Sequence, residues 1–319
     1  MTHPTHKSIH VVAAVIENTD GKILIAKRPL HVHQGGLWEF PGGKVEPDES
    51  IDQALQRELS EELNIQIKHN QALIQIQHNY PDKSVFLDVR HVRAFCGAAI
   101  GNEGQQILWV DKSQLNDFNF PAANKSIINA IQLPGEYLIT PEHQIENRDN
   151  FLRHLESRLK NGITLVQLRA KRLSSDDFFT LYNQVNQLTR LCDAKLQVNT
   201  SIKNAIKLNA NGVHLSSALL LQTNSLPSNL CVSASCHNQQ DVEKANQLGV
   251  HFIVLSPVQI TNTHPNAEPI GWKNFSRLCQ LSRSPAYALG GMKKTDRAAA
   301  IHLGGQGIAA ISSLWQDEN

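Results

Sequence analysis

The side chains best suited to chemistry lie between residues 43 and 65 of this 319-residue chain. Glu58, Glu61 and Glu62 are spaced three and four residues apart, so on a helix they share one face. Carboxylates packed this closely repel one another on a merely solvated surface. A divalent cation reverses that repulsion, because hard oxygen atoms are the ligands that Mg²⁺ takes. The spacing therefore favours a helix with a cation site over an ordinary acidic surface helix.

The neighbouring sequence predicts how this helix is positioned. Its opposite face is apolar and can pack on a sheet through Ile51, Ala54, Leu55, Leu59 and Leu63. Ser50, with Gln53 three residues later, predicts a capping box at the start of the helix. Asn64 suits the left-handed backbone position that ends a helix.

This stretch resembles the Nudix box, G-x5-E-x7-R-E-U-x-E-E-x-G-U, in which U is an aliphatic residue. Its positions are filled by Gly43, Glu49, Arg57, Glu58, Leu59, Glu61, Glu62 and Ile65. The departure is Asn64 in place of glycine, and Asn is the next most tolerant residue at positive φ. The resemblance implies a Nudix hydrolase domain in residues 1–132, with an α/β/α sandwich fold.

Flanking motifs extend the resemblance to the MutT branch, which is similar to 8-oxo-dGTP diphosphatases. They are KRPLHVHQGG (27–36), WEFPGGK (38–44), NYPDK (79–83), NEGQ (102–105) and FPAANKSI (120–127). By resemblance, the nucleotide would be contacted by Arg28, His33, Glu39, Phe40, Pro41, Gly42, Lys83 and Asn124. The Asn124 amide offers a donor and an acceptor to a base edge, although this residue could instead cap the following helix. For His33, a plain surface histidine is the alternative.

The same resemblance implies a cofactor and a mechanism. The expected ion is Mg²⁺, with Mn²⁺ as the alternative, and its expected ligands are Glu58, Glu61, Glu62 and the Gly42 carbonyl. Glu58 and Glu103 both match residues that take a proton from the attacking water, and the sequence does not separate base from ligand. Arg57 would orient the glutamates and relieve their repulsion. Attack at the β-phosphorus would convert a nucleoside triphosphate to the monophosphate and pyrophosphate.

The pattern changes near residues 132–136, where Leu133-Pro134-Gly135 marks a boundary. Before it we predict strands at 9–16, 22–26, 72–77, 85–95 and 108–110, and a closing helix at 121–132. Beyond it, short apolar segments alternate with amphipathic ones, with strands predicted at 137–140, 164–169, 195–199, 212–215, 231–236, 252–255, 286–289 and 307–312. This alternation predicts an α/β fold, a (β/α)₈ TIM barrel, over residues 137–319.

The second half resembles thiamine phosphate synthase and its relative, the thiazole tautomerase TenI. The motifs are VQLRAK (166–171), QVNTS (197–201), GVHLS (212–216), SASCH (233–237), SPVQITNTH (256–264), ALGGM (288–292) and GIAAISS (307–313). Gln167, Arg169 and Lys171 match the strand that meets the pyrimidine diphosphate. A phosphate site is expected after the last two strands, where barrels often bind phosphate, at Gly290, Gly291, Ser312 and Ser313.

The second half also departs from that family at the positions that carry its chemistry. Thr200 stands where one metal-binding aspartate would be, and Ser216-Ser217-Ala218-Leu219 occupies the site of the second. His264 stands where a lysine would be. The tautomerase's catalytic histidine position falls on Pro257. A site that releases pyrophosphate without these groups lacks its main charge stabilisation. We therefore expect the barrel to lack synthase activity, and to bind a ligand or catalyse another reaction.

Composition and net charge limit the kinds of binding partner that we expect for this chain. A net charge of +1 gives no global field that would attract duplex nucleic acid or an anionic membrane. The five cysteines are scattered without C-x-x-C spacing, so neither a disulfide framework nor a zinc site is indicated. The N-terminus has no signal-peptide layout, which predicts a cytoplasmic protein. The expected partner is a small nucleotide, and the sequence leaves the oligomeric state open.

Three functions fit these observations. The first is a hydrolase that removes oxidised nucleotides from the precursor pool of DNA replication, with an inert or regulatory barrel. The second is a bifunctional thiamine-pathway enzyme whose Nudix half clears an unwanted diphosphate. The third is a ligand-sensing barrel that modulates a partner, which requires the Nudix box to be idle. The complete Nudix pattern beside an incomplete barrel pattern favours the first.

Overall fold

The structure, a computed structural model, describes residues 8–32, 34–79, 84–142, 145–261 and 268–316. The chain folds into two compact units, Met1–Gln132 and Leu133–Asn319. The predicted fold class, an α/β sandwich followed by a TIM barrel, is confirmed. Within the described ranges, no helix combines the length and the apolar character that crossing a membrane requires.

Two sheets form the centre of the N-terminal unit. Their strands are β1 (Ser8–Ile16), β2 (Ile23–Lys27), β3 (Trp38–Glu39), β4 (Gly42–Lys44), β5 (Gln66–Asn79), β6 (Ser84–Cys96) and β7 (Ile107–Val110). The four-stranded sheet has the order β4-β1-β6-β5, and the three-stranded sheet has the order β3-β2-β7. Strand β1 runs parallel to β6 and antiparallel to β4, which holds the glycine turn against the sheet.

Two helices cover opposite faces of these sheets, α1 (Ile51–Leu63) and α2 (Asn124–Gln132). Successive side chains of a strand point to opposite faces, so β1 contributes to two cores. Val12 packs in the cluster that contains Leu59 of α1, whereas Ala13 packs in the cluster that contains Ile127 of α2. Burial on both faces explains why residues 11–16 read as a continuous apolar run rather than an alternating one.

The second unit is a closed barrel of parallel strands with helices between them. The strands are β8 (Glu136–Ile139), β9 (Leu165–Leu168), β10 (Lys195–Asn199), β11 (Gly212–Leu215), β12 (Cys231–Cys236), β13 (Phe252–Leu255), β14 (Ala286–Ala288) and β15 (Gly307–Ala310). The helices are α3 (Arg148–Lys160), α4 (Ser175–Leu191), α5 (Ile202–Lys207), α6 (Ser217–Gln222), α7 (Gln239–Leu248), α8 (Gly271–Leu281), α9 (Arg297–His302) and α10 (Ser312–Trp315). Strand β8 closes the barrel by pairing with both β15 and β9. All eight predicted strands are present, but the last ends at Ala310 rather than residue 312, because α10 begins at Ser312.

The interior of the barrel contains a neutral, hydrogen-bonded network. The Gln167 amide donates to the Tyr137 hydroxyl at 3.0 Å, and the Ser233 hydroxyl donates to Gln197 Oε1 at 3.2 Å. The ring of His214 lies between Ser233 Oγ (2.9 Å from Nδ1) and Ser235 Oγ (2.8 Å from Nε2). Each of these polar groups therefore has a partner, as burial requires.

Residues 133–135 are bonded to the barrel unit. The carbonyl of Leu133 accepts from the Gln306 amide at 2.9 Å, and the carbonyl of Pro134 accepts from the Tyr287 hydroxyl at 2.6 Å. The Gly135 carbonyl accepts from the backbone N–H of Ile308 at 3.1 Å.

Two elements of the first unit begin elsewhere than predicted. Strand β5 begins at Gln66 rather than residue 72, because its polar first half pairs with β6 through irregular register. Helix α2 begins at Asn124 rather than residue 121. Residues 121–124 form a turn instead, because the Pro121 carbonyl accepts from the Asn124 N–H at 2.9 Å.

Candidate active site

Helix α1 is fixed at both ends by its own sequence. The Ser50 side chain accepts from the Gln53 N–H and the Gln53 side chain accepts from the Ser50 N–H, so the predicted capping box is confirmed. Asn64 ends the helix at φ 54°, in the left-handed conformation expected from the sequence. Ala54, Leu55, Leu59 and Leu63 are buried on the apolar face, which directs the glutamates away from the core.

Arg57 holds the acidic side chains of this segment in place. Its guanidinium donates to both carboxylate oxygens of Glu49, at 3.0 and 2.9 Å, in the bidentate arrangement that is strongest for such pairs. It also donates to Glu58 at 2.8 Å, to Glu61 at 3.4 Å and to the Lys44 carbonyl at 3.0 Å. These carboxylates raise the pKa of Arg57 above its usual value, and the guanidinium lowers the pKa of Glu49.

Two glycines allow the backbone to approach the carboxylates. A Cβ at residue 43 would lie 2.2 Å from the carboxyl carbon of Glu58, so this position accepts only glycine while Glu58 stays where it is. Gly42, at φ 146°, donates its N–H to Glu62 Oε2 at 3.1 Å. A Cβ there would lie 2.1 Å from the Val12 carbonyl oxygen. The Gly-Gly turn therefore sets the position of both glutamates.

Glu62 is a carboxyl group with a strongly raised pKa. Burial raises the pKa of Glu62 to about 8. The negative charges of Glu39, Glu58 and Glu103 also raise this pKa, whereas the hydrogen bond from the Gly42 N–H lowers it. Burial also raises the pKa of Glu39, which Arg28 opposes. Carboxylates that repel one another across a partly buried space are hard oxygen donors, and they fit a divalent cation.

The protein's own donors occupy these carboxylates in the structure. In the part of the chain that is described, no three His, Cys, Asp or Glu side chains already converge on a point that could hold a metal ion. Glu58 and Glu61 contact Arg57, and Glu62 contacts the Gly42 N–H. The fit to a cation thus rests on donor type and mutual repulsion.

A cavity of about 270 Å³ adjoins this turn. It brings together five residues predicted to contact the nucleotide, namely Arg28, Glu39, Phe40, Gly42 and Asn124. Pro41 is buried beside them, with its carbonyl bonded to the Ala14 N–H at 2.8 Å. His33 and Lys83, the other two predicted contacts, lie outside the described residues. Lys44 and Gln34 also line the cavity, and neither was predicted to contact the nucleotide.

Polar groups at one side of the cavity are placed for recognition. Arg28 is hydrogen bonded to Glu39, and the Phe40 ring stacks on Phe120 with centroids 5.4 Å apart. Asn124 is the first residue of α2 and is 9% exposed. Its side-chain amide makes no hydrogen bond to another described residue, which leaves its donor and its acceptor available to a ligand in the cavity that this residue lines.

A loop before β7 closes the end of α1. The Asn102 amide donates to the Glu61 carbonyl at 2.8 Å, and the Gln105 amide donates to the Glu62 carbonyl at 2.9 Å. The backbone N–H of Glu103 donates to Gln105 Oε1 at 2.9 Å. Sequence reasoning singled out Glu103 and missed both amides, although they flank it in the NEGQ motif.

At the mouth of the barrel, the predicted phosphate residues belong to two linked loops. Gly290 and Gly291 have φ values of 102° and 70°. Ser312 begins α10, and the Ser313 hydroxyl donates to the Met292 carbonyl at 2.7 Å, which joins the loop after β14 to the one after β15.

Comparison with known proteins follows the division into two units. Residues 12–130 match the NUDIX domain model, and residues 136–314 match the model for thiamine monophosphate synthase. The chain belongs to both families.

Curated relatives agree with this assignment. The chain is 42% identical over 124 residues to the CTP pyrophosphohydrolase of Escherichia coli, which covers 39% of this chain and 91% of the relative. It is 34% identical over 122 residues to the 8-oxo-dGTP diphosphatase of Escherichia coli, and this alignment covers 38% of this chain and 95% of the relative. It is 34% identical over 191 residues to the putative thiamine-phosphate synthase 2 of Aquifex aeolicus, and this alignment covers 58% of this chain and 100% of the relative. The N-terminal unit is a Nudix hydrolase, an enzyme of phosphoanhydride bonds.

The synthase-family barrel does not fit that family's metal. Asn199 is the last residue of β10 and Thr200 follows it. The Asn199 amide donates to the His214 carbonyl at 3.3 Å, and the Thr200 hydroxyl accepts from Asn204 at 3.2 Å. Leu219 lies in α6, whose N-cap is the neutral Ser216. His264 lies outside the described residues. Glu142 is the carboxylate near the matched Arg169, and it pairs with that guanidinium at 2.8 Å.

Proposed function

We propose that the N-terminal unit is a Mg²⁺-dependent nucleoside triphosphate pyrophosphohydrolase that converts 8-oxo-dGTP to 8-oxo-dGMP and pyrophosphate. Such an enzyme would remove oxidised precursors before DNA replication. The observation that carries the proposal is the cavity that places Asn124 and the Arg28–Glu39 pair beside the glycine turn of the carboxylate helix. A base would occupy the cavity, and the phosphates would extend toward Gly42.

The residues of the chain divide the chemical work between them. Glu58, Glu61, Glu62 and the Gly42 carbonyl would hold the cation, which when bound neutralises phosphate charge and polarises the phosphoryl group. Arg57 keeps Glu58 and Glu61 in place through the contacts described above. Glu103 would take the proton from the attacking water, because its carboxylate is exposed and near enough to Glu62 to affect the pKa of Glu62.

Base recognition would fall to Asn124. An amide with an unused donor and an unused acceptor can pair with a purine edge that presents both, and an oxidised guanine differs from guanine in such an edge. A site built around hydrogen bonds rejects an analogue that lacks them more strongly than an apolar pocket does. Phe40 stacks on Phe120 and is 4% exposed, so it shapes the cavity wall.

CTP is a second candidate substrate, because a relative that is 42% identical is a CTP pyrophosphohydrolase. A substrate panel separates the two. Pyrophosphate release by the full chain with Mg²⁺ should be measured with 8-oxo-dGTP, dGTP, CTP, ADP-ribose and thiamine diphosphate. We expect the highest kcat/KM with 8-oxo-dGTP. Preference for CTP would replace the purine assignment, and hydrolysis of thiamine diphosphate alone would favour the thiamine-pathway alternative.

We further propose that the barrel does not make thiamine phosphate. Its neutral residues at Thr200 and Leu219 leave a pyrophosphate leaving group without metal-binding carboxylates. A phosphorylated ligand could still bind at Gly290, Gly291, Ser312 and Ser313, since backbone N–H groups can bind phosphate without charged side chains. A synthesis assay with the pyrimidine diphosphate, thiazole phosphate and excess Mg²⁺ should give no product. Product formation that is lost in Lys171→Ala would reverse this conclusion.

A further inference from the structure

The Gln105 side chain connects two residues of the proposed site that are far apart in sequence. Its Nε2 donates to the Glu62 carbonyl at 2.9 Å, and its Oε1 accepts from the Glu103 backbone N–H at 2.9 Å. One planar amide therefore joins the backbone of a proposed cation ligand to the backbone of the proposed base. Both of its hydrogen-bonding functions are used.

The surrounding loop makes this link rigid. The last carbonyls of a helix have no hydrogen-bond partners within the helix, and here the loop supplies donors to them. The Leu63 carbonyl accepts from the Ile100 N–H at 3.1 Å, and the Glu62 carbonyl accepts from the Asn102 N–H at 2.9 Å as well as from Gln105. A Cβ at Gly101 would lie 1.9 Å from the Gln105 carbonyl oxygen, so glycine is required for the loop to fold this tightly.

We propose that Gln105 is a positioning residue that sets the place of Glu103 relative to Glu62. This inference rests on the proposed function, since it gives Gln105 a role only if Glu103 takes part in hydrolysis. Glu103 is exposed, so packing does not hold it in place. The backbone bond to Gln105 supplies that restraint. Misplacing a reacting group by about 1 Å can cost on the order of 100-fold in rate.

The test is a double-mutant cycle in the full chain. Gln105→Met keeps the length of the side chain and removes both hydrogen bonds. We expect kcat for the preferred nucleotide to fall about 10- to 100-fold while KM changes by less than about threefold, because the bonds orient the base rather than the substrate. Gln106→Met is the matched control, since Gln106 is exposed and its backbone carbonyl accepts from the Lys27 N–H at 2.8 Å, while its side chain makes no hydrogen bond to a described residue. It should leave kcat unchanged.

Glu103→Gln provides the second arm of the cycle. Removing a general base leaves residual turnover about 10²- to 10⁴-fold lower, which can be followed in long incubations. If Gln105 acts through Glu103, Gln105→Met should lower that residual rate by less than about threefold. Equal fold losses in both backgrounds, or no loss in the wild-type background, would overturn the inference. Should Gln105→Met unfold the unit, Gln105→Ala takes its place in the same cycle.

The cycle also separates this inference from the proposed function. A wild-type chain without activity on any nucleotide of the panel would refute the proposed function itself. An active wild type with a fully active Gln105→Met variant would refute only the role of Gln105. A wild-type rate in Glu103→Gln would likewise refute it, because Gln105 would then have no base to position.

Discussion

Glu62→Gln should lower activity and raise stability at the same time. The amide keeps the length of the side chain and an oxygen that can accept from the Gly42 N–H, as Glu62 does at 3.1 Å. It removes a charge that Glu39, Glu58 and Glu103 repel. Loss of a cation ligand should reduce Mg²⁺-dependent hydrolysis by at least about 100-fold, since even groups that merely support ligands cost 10- to 100-fold. The fold should persist.

The stability gain follows from the raised pKa of Glu62. Its ordinary value is 4.5 and its folded value is about 8. Below pH 4.5 the group is protonated in both the folded and the unfolded state, so no penalty exists there. As the pH rises from 4.5 toward 8, only the unfolded state loses its proton readily, and stability falls by about 1.4 kcal/mol per pH unit. At pH 7 this loss of folding stability amounts to at most about 3 kcal/mol. The Glu62→Gln variant avoids it, because an amide does not ionise.

Hydrogen exchange followed by mass spectrometry can measure this gain for the N-terminal unit within the full chain. In EDTA, we expect the free energy of opening of helix α1 to be higher in Glu62→Gln than in wild type at pH 8, and nearly equal at pH 5. Glu46→Gln is the control, because Glu46 is an exposed glutamate of the same segment. A Glu62→Gln protein that is less stable than wild type at pH 8, or that hydrolyses nucleotide within about threefold of wild type, would refute the reasoning.

Four further predictions concern the base site, the boundary between the units and the barrel interior. Asn124→Ala should lower kcat/KM for 8-oxo-dGTP about 10- to 100-fold more than for dGTP, since it removes two hydrogen bonds to the base, and equal losses would make Asn124 a structural residue. Residues 1–132 alone should keep most of the hydrolysis. A barrel fragment that begins at residue 133 should have a higher urea midpoint than one that begins at 137, because the shorter fragment leaves the buried Tyr287 hydroxyl without its Pro134 partner. Burial lowers the pKa of His214 to about 3, so barrel stability should fall as pH drops below 6.5, and His214→Gln should flatten the slope by about 1.4 kcal/mol per pH unit.

Local signals explain what could be predicted from the sequence. The caps of α1 depend on Ser50, Gln53 and Asn64, which act within a few residues of themselves, so their roles could be predicted without any tertiary information. Most barrel strands are short, largely apolar segments between helices, a composition that is typical of parallel strands covered on both faces. Strand β5 lacked such a signal in its first half, where the sequence is QIKHNQ and pairing with β6 holds it in place.

Long-range contacts explain which features could not be predicted from the sequence. The Gln105 amide reaches Glu62 across 43 positions, and the Arg28–Glu39 pair depends on β2 and β3 lying side by side. The resemblance predicted that Arg57 orients the glutamates. Its bidentate pairing with Glu49 was not predicted, and its bond to the Lys44 carbonyl depends on the path of the glycine turn. Sequence thus supplied the candidate site residues, while the residues that hold them in place required coordinates.

Among the described residues, carboxyl groups whose pKa is raised by burial lie in the first unit, which gives a physical reason to place the hydrolytic chemistry there. Partial burial raises the pKa of both Glu39 and Glu62, an arrangement that costs folding stability unless a ligand compensates it. Perturbed carboxyls of this kind concentrate at functional sites. The barrel interior is also polar, but Gln167, Gln197 and His214 each have neutral partners, so they need no ligand to explain them. The unsatisfied electrostatics of the glutamate cluster are what a bound cation and its nucleotide would relieve, and among the described residues the barrel interior has no counterpart to them.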